Sequence, residues 1–180
     1  MSTFLIPISH VELTFNEVPD KTAVSFVMGD CRERCKGCHS PYLWEKPKGW
    51  TIDKVCEIAE KYVSQGADAI LLMGGTTNGI PYYVLDELIT ELARIADVGL
   101  YSGSNHEEFD KDFAMSTRLT WLKTGSFKKD LGGLSSPTTN QRFYRKKRRY
   151  YMCLNSGCVE KREWLEDITH FFQNGNKWND

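Results

Sequence analysis

The chain of 180 residues is long enough for one domain with a sizeable core. It is 41% hydrophobic and 26% charged, as in ordinary globular proteins. The 23 basic and 24 acidic residues leave a net charge of −1, which excludes a general attraction to nucleic acid or to an anionic membrane.

Alternating strand and helix patterns run through the chain after residue 20. The strand patterns are short apolar runs, and the helix patterns repeat apolar residues at a 3.6-residue period. This alternation predicts parallel βαβ units, and therefore an α/β fold with a mostly parallel sheet and flanking helices. In chain order the predicted elements are a strand over 22–28, a helix from Thr51 to about Gly66, a strand over 69–73, a helix over about 82–96, strands over 98–102 and 121–124, and one C-terminal amphipathic helix carrying Trp164, Leu165, Ile168, Phe171 and Phe172.

Three cysteines form the pattern Cys31-x3-Cys35-x2-Cys38 directly after the first predicted strand. Three thiolates on one short loop suit an iron–sulfur cluster in which one iron has no protein ligand, because a cluster held wholly by protein takes four cysteines. An open metal position is suited to binding a substrate or cofactor. Gly37 would let the backbone approach a bulky cofactor. The same triplet is also compatible with a zinc site completed by His39 or a distant ligand, and with three unrelated thiols.

The remaining cysteines do not extend the triplet into a regular disulfide framework. Cys56 lies in a helical pattern and is predicted to be a core residue, and Cys153 and Cys158 form a separate pair. We interpret that pair as idle thiols near a turn, although it could also bind metal or pair oxidatively. No signal peptide and no apolar run of the ~20 residues that cross a bilayer is evident, so we expect a reducing cytoplasm.

Glycine and polar residues follow the later predicted strands. Ligand sites of parallel sheets lie at the carboxyl ends of the strands, so we expect these residues to lie near the cysteine loop. Gly74-Gly75 can expose backbone groups to a charged amino-acid moiety, assisted by the Thr76 and Thr77 hydroxyls, or can be a plain turn. Ser102 ends the third strand. Lys123 either meets a carboxylate or is a solvated strand-end lysine.

A basic run over 145–149 lies between two aromatic pairs. Because the whole chain is near neutral, the run is interpreted as an exposed strand or its turn rather than as a nucleic-acid patch. The run could also contact an acidic protein partner. His10, His106 and His170 show no spacing typical of a ligand set.

The cysteine loop and a later segment together resemble one family. The run from Cys31 to Trp44, with Cys-x3-Cys-x-Gly-Cys and a following Trp, resembles the cluster loop of the anaerobic ribonucleotide reductase activating proteins, which are small radical S-adenosylmethionine enzymes. Residues 123–134 and 136–144 resemble that family's C-terminal signature, of which Asn140-Gln141-Arg142 is the specific element. The resemblance covers about 20–145 of a single domain over 1–180, and about 146–180 would be an extension.

The resemblance implies a fold, two cofactors and a reaction. The fold would be a small incomplete (β/α) barrel of the radical S-adenosylmethionine type. Cys31, Cys35 and Cys38 would bind a [4Fe-4S] cluster, and S-adenosylmethionine would chelate its open iron. One electron from a flavodoxin-like donor would release a 5′-deoxyadenosyl radical, which takes a hydrogen atom from a glycine of the anaerobic reductase. The residues expected to contact the cofactor are Gly37, Cys38, His39, Gly74, Gly75, Thr76, Asn78, Ser102 and Lys123.

One position departs from the family's pattern. The family usually has an acidic residue after the two glycines, where this chain has Thr76, and a hydroxyl makes a weaker bond to an ammonium group than a carboxylate does. Asn78 would compensate for it, or the chain would be a degenerate enzyme that retains the cluster. The motifs are also compatible with an activase of a different glycyl-radical enzyme, with a radical enzyme that has a small-molecule substrate, and with a non-catalytic zinc- or cluster-binding module.

Overall fold

A computed structural model describes residues 3–152 and 159–173. Cys153 and Cys158, the separate cysteine pair of the sequence, lie outside the described residues. Within the described residues, seven strands form one mixed sheet in which each strand pairs with its neighbours in the chain. The strands are β1 (Ile8–Thr14), β2 (Ala23–Met28), β3 (Ala69–Met73), β4 (Asp97–Tyr101), β5 (Trp121–Thr124), β6 (Arg142–Met152) and β7 (Val159–Asp167), and the α-helices are α1 (Ile52–Ser64), α2 (Tyr82–Leu92), α3 (Glu107–Ser116) and α4 (His170–Gln173).

The expectation of a mostly parallel, incomplete barrel with flanking helices is wrong. Only the central pairs β2–β3, β3–β4 and β4–β5 are parallel. The outer pairs β1–β2, β5–β6 and β6–β7 are antiparallel and join more residues than the parallel ones. The physical reason is that β6 and β7 pair antiparallel over nine residues each, while β1 pairs antiparallel with β2, the next strand in the chain. The sheet is therefore open, with β1 and β7 at its edges.

Local patterns place the central elements close to where the sequence predicts them. β2 is buried at every position, and β3 at all but its last, because both faces of these central strands are covered. Helix α1 begins after Thr51, whose side chain accepts a hydrogen bond from the Lys54 backbone N–H. The short 3₁₀ helix Pro41–Trp44 separates the cysteine loop from α1.

The two faces of the sheet have different covers. Helices α1, α2 and α3 pack on one face, where they bury residues such as Phe26, Leu72 and Leu100. The opposite face carries a smaller cluster that includes Leu71 and Phe143 and is covered by the 15–22 segment and by α4. The Tyr101 hydroxyl donates a 2.6 Å hydrogen bond to the Glu17 carbonyl, which fixes this segment over the end of β4.

The C-terminal region differs from the predicted single helix. Trp164 and Leu165 lie on β7, and among the described residues after β7 the helix comprises His170–Gln173. Pairing with β6 extends the same sheet across residue 145, where the extension was expected to begin, and the basic run over 145–149 lies within strand β6. The ammonium group of Lys146 donates to three carbonyl oxygens at the end of α3, those of Ala114, Met115 and Thr117, and so caps that helix.

In residues 3–152 and 159–173, no helix has both the length and the apolar character that crossing a bilayer requires.

Candidate functional site

The cysteine loop begins where β2 ends, at the carboxyl edge of the parallel strands. Backbone hydrogen bonds hold its first residues on both sides: the Cys31 N–H donates to the Leu43 carbonyl at 2.9 Å, and the Arg32 N–H donates to the Thr77 carbonyl at 2.9 Å. The start of the loop is therefore fixed between the 3₁₀ helix and the segment after β3.

The three thiols of the loop are half-buried and form no disulfide. The Cys31 sulfur lies 3.9 Å from the Thr77 hydroxyl, and the Ser40 backbone N–H donates to the Cys38 sulfur at 3.3 Å. Burial raises the pKa of the Cys35 thiol, the backbone N–H of Phe127 opposes that rise, and the negative charge of Glu33 adds to it, followed by that of the other two cysteines.

The turn that carries the second and third cysteines depends on glycine. Gly37 has a φ of 75°, in the left-handed region that favours glycine, and a Cβ there would lie 3.0 Å from the Lys129 side chain. His39 is exposed and packs against the Phe127 ring, with 4.6 Å between the ring centroids. Both predicted contact residues therefore touch the segment after β5.

A small cavity of about 160 Å³ gathers several of the predicted site residues. It is smaller than the roughly 300–1,000 Å³ of typical small-molecule pockets, so its size suits an amino-acid moiety rather than a whole nucleoside. Its polar and sulfur-containing lining includes Cys31, Cys38, Gly74, Thr77, Asn78, Ser102 and Lys123. Cys35 instead borders a second cavity of about 700 Å³, together with Phe127 and Lys129.

The double glycine after β3 does not offer its N–H groups to a ligand. The Gly74 N–H donates to the Tyr101 carbonyl at 3.0 Å, and the Gly75 N–H donates to the Asn78 side-chain oxygen at 2.7 Å. The Asn78 amide also donates to the Gly29 carbonyl at 2.7 Å and to the Met28 carbonyl at 3.3 Å. Asn78, only 2% exposed, therefore joins the glycine turn to the start of the cysteine loop.

A buried carboxylate that sequence reasoning missed lies behind Thr76. The Thr76 and Ser102 hydroxyl oxygens are 2.8 Å apart, and the Ser102 hydroxyl donates to Asp110 at 2.7 Å. Ser104 donates to the same oxygen of Asp110 at 2.8 Å. Burial raises the pKa of Asp110, and the hydrogen bonds from the two serines oppose that rise. In the sequence, Asp110 reads only as one acid of an acidic helix start, so no signal separates it from Glu107 or Glu108.

Lys123 lies near the end of β5 but is buried, so the alternative of a solvated lysine is wrong. It is 8% exposed, donates to the Gly125 carbonyl at 2.8 Å and lies 6.0 Å from the centre of the Tyr101 ring. Burial lowers the pKa of Lys123 to about 8, against the opposing effect of the Cys35, Glu17 and Asp110 charges. It is a cation at the wall of the small cavity.

Cysteine thiolates are the donors that an iron–sulfur cluster takes. Within residues 3–152 and 159–173, no three or more His, Cys, Asp or Glu side chains converge on one point that would hold a metal ion. One ion requires such convergence, whereas cysteines of a cluster bind different irons. The Trp44 indole N–H is buried without a hydrogen-bond partner in the described structure, and Trp44 lines the small cavity. This indole N–H is therefore free to donate a hydrogen bond to a ligand in the small cavity.

Comparisons with protein-family models, with curated proteins and with solved structures found no match for this chain. The family resemblance therefore depends on the sequence motifs alone.

Proposed function

We propose that the chain is a radical S-adenosylmethionine activase of an anaerobic ribonucleotide reductase. The observation that carries the proposal is the position of Cys31, Cys35 and Cys38 on one loop at the carboxyl edge of four parallel strands. Cys31 and Cys38 line the small cavity together with Ser102 and Lys123, and Cys35 borders the second cavity of about 700 Å³. The proposal does not require a closed barrel, because the site residues come from the ends of the central strands.

The specific element of the family signature contacts the segment that touches Cys35. The Asn140 side chain donates to the Ser126 carbonyl at 3.1 Å, and the Gln141 side chain donates to the Gly125 carbonyl at 3.2 Å. The next residue, Phe127, has its backbone N–H beside the Cys35 sulfur. The signature would thus support the cluster by fixing the segment that its second cysteine packs against.

The cofactors, when bound, supply one-electron cleavage of S-adenosylmethionine and hydrogen-atom abstraction from a glycine of the partner. The chain's own residues would bind and orient them: three cysteines hold the cluster, and Lys123 offers a positive charge to a carboxylate. The segment after β3 is held in place by Asn78. No side chain is assigned an acid or base role. A cytoplasmic location and a flavodoxin-like electron donor belong to the same proposal.

The open sheet is compatible with a protein substrate. A closed barrel would enclose a small molecule, whereas here the 700 Å³ cavity beside Cys35 opens at the surface between the cysteine loop and the segment after β5. A glycine-bearing loop of another protein is a substrate of suitable shape for such a site.

The experiment mixes the anaerobically reconstituted and reduced protein with S-adenosylmethionine and a purified anaerobic reductase, and records the electron paramagnetic resonance spectrum. We expect about four irons and four sulfides per chain and a glycyl radical on the reductase. A radical on a different glycyl-radical enzyme alone would favour another activase. One bound zinc and no iron would identify a non-catalytic module.

A further inference from the structure

Strands β6 and β7 concentrate positive charge that the rest of the chain lacks. Together they contain eight lysines and arginines and four aspartates and glutamates, which is a net charge of +4. Because the whole chain has a net charge of −1, the remaining residues carry −5. The activity proposed for the cysteine loop makes no use of this concentrated charge.

The positive part of the β6–β7 ribbon extends beyond the body of the sheet. β5 pairs with β6 over Arg142–Arg145, and in the described parts of the chain β7 is the only strand paired with β6 from Lys147 onward. The ribbon leaves the sheet at the amino end of β5, opposite the edge that carries the cysteine loop. Alternate residues of a strand share a face. The face that continues from the buried Phe143 carries Arg145, Lys147, Arg149, Arg162 and Trp164, and we call it the basic face.

Two arginines lie directly opposite each other on the basic face. Arg149 of β6 is in register with Arg162 of β7, and both are exposed. Like charges in register destabilise an antiparallel pair, and protecting an edge strand from aggregation requires charge but not this arrangement. Arg162 lies 3.4 Å from Glu160, whereas neither Arg149 nor Arg145 forms an ion pair with any residue that the structure describes. An external anion would neutralise this uncompensated charge.

Apolar groups lie beside the cations of the basic face. Trp164 is 41% exposed and lies opposite Lys147. A cavity of about 410 Å³ at the base of the same face has Trp121, Arg145 and Phe171 in its walls. Tryptophan, phenylalanine and arginine are enriched where proteins bind one another, so the composition of the face favours a protein partner.

Two carboxylates on the basic face argue against a nucleic acid as the partner. Glu166 lies 3.3 Å from Lys147, and Glu160 lies 3.4 Å from Arg162. A nucleic acid strand presents regularly spaced phosphates and no positive charge, so it would be repelled by these carboxylates. A protein can present carboxylates to the arginines and a cation or a hydrogen-bond donor to the glutamates.

We propose that the basic face of the β6–β7 ribbon is a docking surface for an acidic segment of a protein partner. Carboxylates of the partner bind Arg149, Arg162 and Arg145, and its apolar groups pack against Trp164. The inference goes beyond the proposed function and does not depend on it, because the basic face and the cysteine loop lie at opposite ends of the central strands.

Fluorescence anisotropy of a fluorescein-labelled oligoglutamate peptide, titrated with the full chain at low salt, tests the inference. We expect the double variant Arg149→Gln, Arg162→Gln to bind this peptide about tenfold more weakly than the wild type, because both opposed charges are lost. The control Arg94→Gln removes an exposed arginine that follows α2, and it should change the affinity by less than about twofold. A labelled oligothymidylate of equal charge should bind more weakly than the peptide.

Urea denaturation of the same variants separates docking from a role in the fold. The double variant should have a urea midpoint no lower than that of the wild type, because it removes two like charges in register. A lower midpoint would assign the two arginines to the fold and overturn the inference. It would also be overturned by a wild type that does not bind the peptide, by a double variant that binds it equally well, or by tighter binding of oligothymidylate. None of these results bears on the chemistry proposed for the cysteine loop.

Discussion

Replacing Asn78 with alanine should destabilise the protein more than any surface amide substitution, because this side chain joins two segments of the candidate site. The substitution leaves the Gly75 N–H and the Gly29 carbonyl without their 2.7 Å partners in a place that is 2% exposed. Each buried unsatisfied group costs about 1–3 kcal/mol, so we expect a loss of roughly 3 kcal/mol in the free energy of unfolding. With a urea slope of about 2 kcal/mol/M, the midpoint would fall by about 1.5 M.

The assay is urea denaturation followed by circular dichroism, with Asn16→Ala as the matched control. Asn16 is exposed, and its substitution should change the free energy of unfolding by less than about 0.5 kcal/mol. The nearly isosteric Asn78→Asp should be at least as harmful as Asn78→Ala, because it turns a carboxylate oxygen toward two carbonyls. An Asn78→Ala protein as stable as Asn16→Ala, or a well-tolerated Asn78→Asp, would refute this account of the junction.

Three further predictions concern stability. Lys146→Met should lower the free energy of unfolding by about 1–2 kcal/mol, because it removes the charged donor to three carbonyls at the end of α3. The adjacent Lys147→Met removes a surface ion pair and should lower the free energy of unfolding by less than about 1 kcal/mol in the same urea measurement. Tyr101→Phe should cost about 1 kcal/mol, since it removes the 2.6 Å bond to the 15–22 segment, whereas Tyr83→Phe at an exposed position should cost nothing measurable. The pKa of Lys123 is about 8 in the folded protein, below its value in the unfolded chain, so at pH values between these two pKa values the unfolded chain binds more protons. The contribution of Lys123 to the free energy of unfolding should therefore rise with pH, by roughly 2 kcal/mol between pH 8 and pH 10. Lys123→Met should abolish that rise in paired denaturation curves of the iron-free protein.

Each of these predictions has a specific contradicting result. Equal effects of Lys146→Met and Lys147→Met would show that the helix cap contributes no more than a surface ion pair. Equal stability of Tyr101→Phe and the wild type would remove the hydroxyl as the fixing contact. A Lys123→Met protein whose stability varies with pH as the wild type's does would show that this ammonium group does not titrate in an altered range.

Local patterns predict the central elements because their causes are local. The runs over Ala69–Met73 and Trp121–Thr124 form strands with the predicted bounds, and Thr51 caps α1 as expected. The outer strands depend on antiparallel pairing with a neighbouring strand, which the apolar pattern of a single segment does not contain. The spacing of Trp164, Leu165 and Ile168 fits a helix, but pairing with β6 makes the first two part of a strand.

In the candidate site too, the features with local causes could be predicted from the sequence, and those that depend on the packing of several strands could not. The cysteine spacing and the position of the loop after β2 follow from the sequence, because both concern residues close together in the chain. The burial of Lys123 follows from the position of β5 between β4 and β6 in the sheet. That strand order could not be predicted from the sequence pattern. The connection from Asp110 through Ser102 to Thr76 requires two loops from different strands to meet, so it is visible only in the folded chain.

The most direct measurement of the central claim is the formation of 5′-deoxyadenosine and methionine after S-adenosylmethionine is added to the reconstituted, dithionite-reduced protein. We predict that both products appear in the wild type, disappear in Cys35→Ala and persist in Cys56→Ala, whose cysteine lies in α1 outside the cysteine loop. A wild-type protein that holds a cluster and never cleaves the cofactor, or a Cys35→Ala variant that cleaves it as well as Cys56→Ala does, would contradict the account.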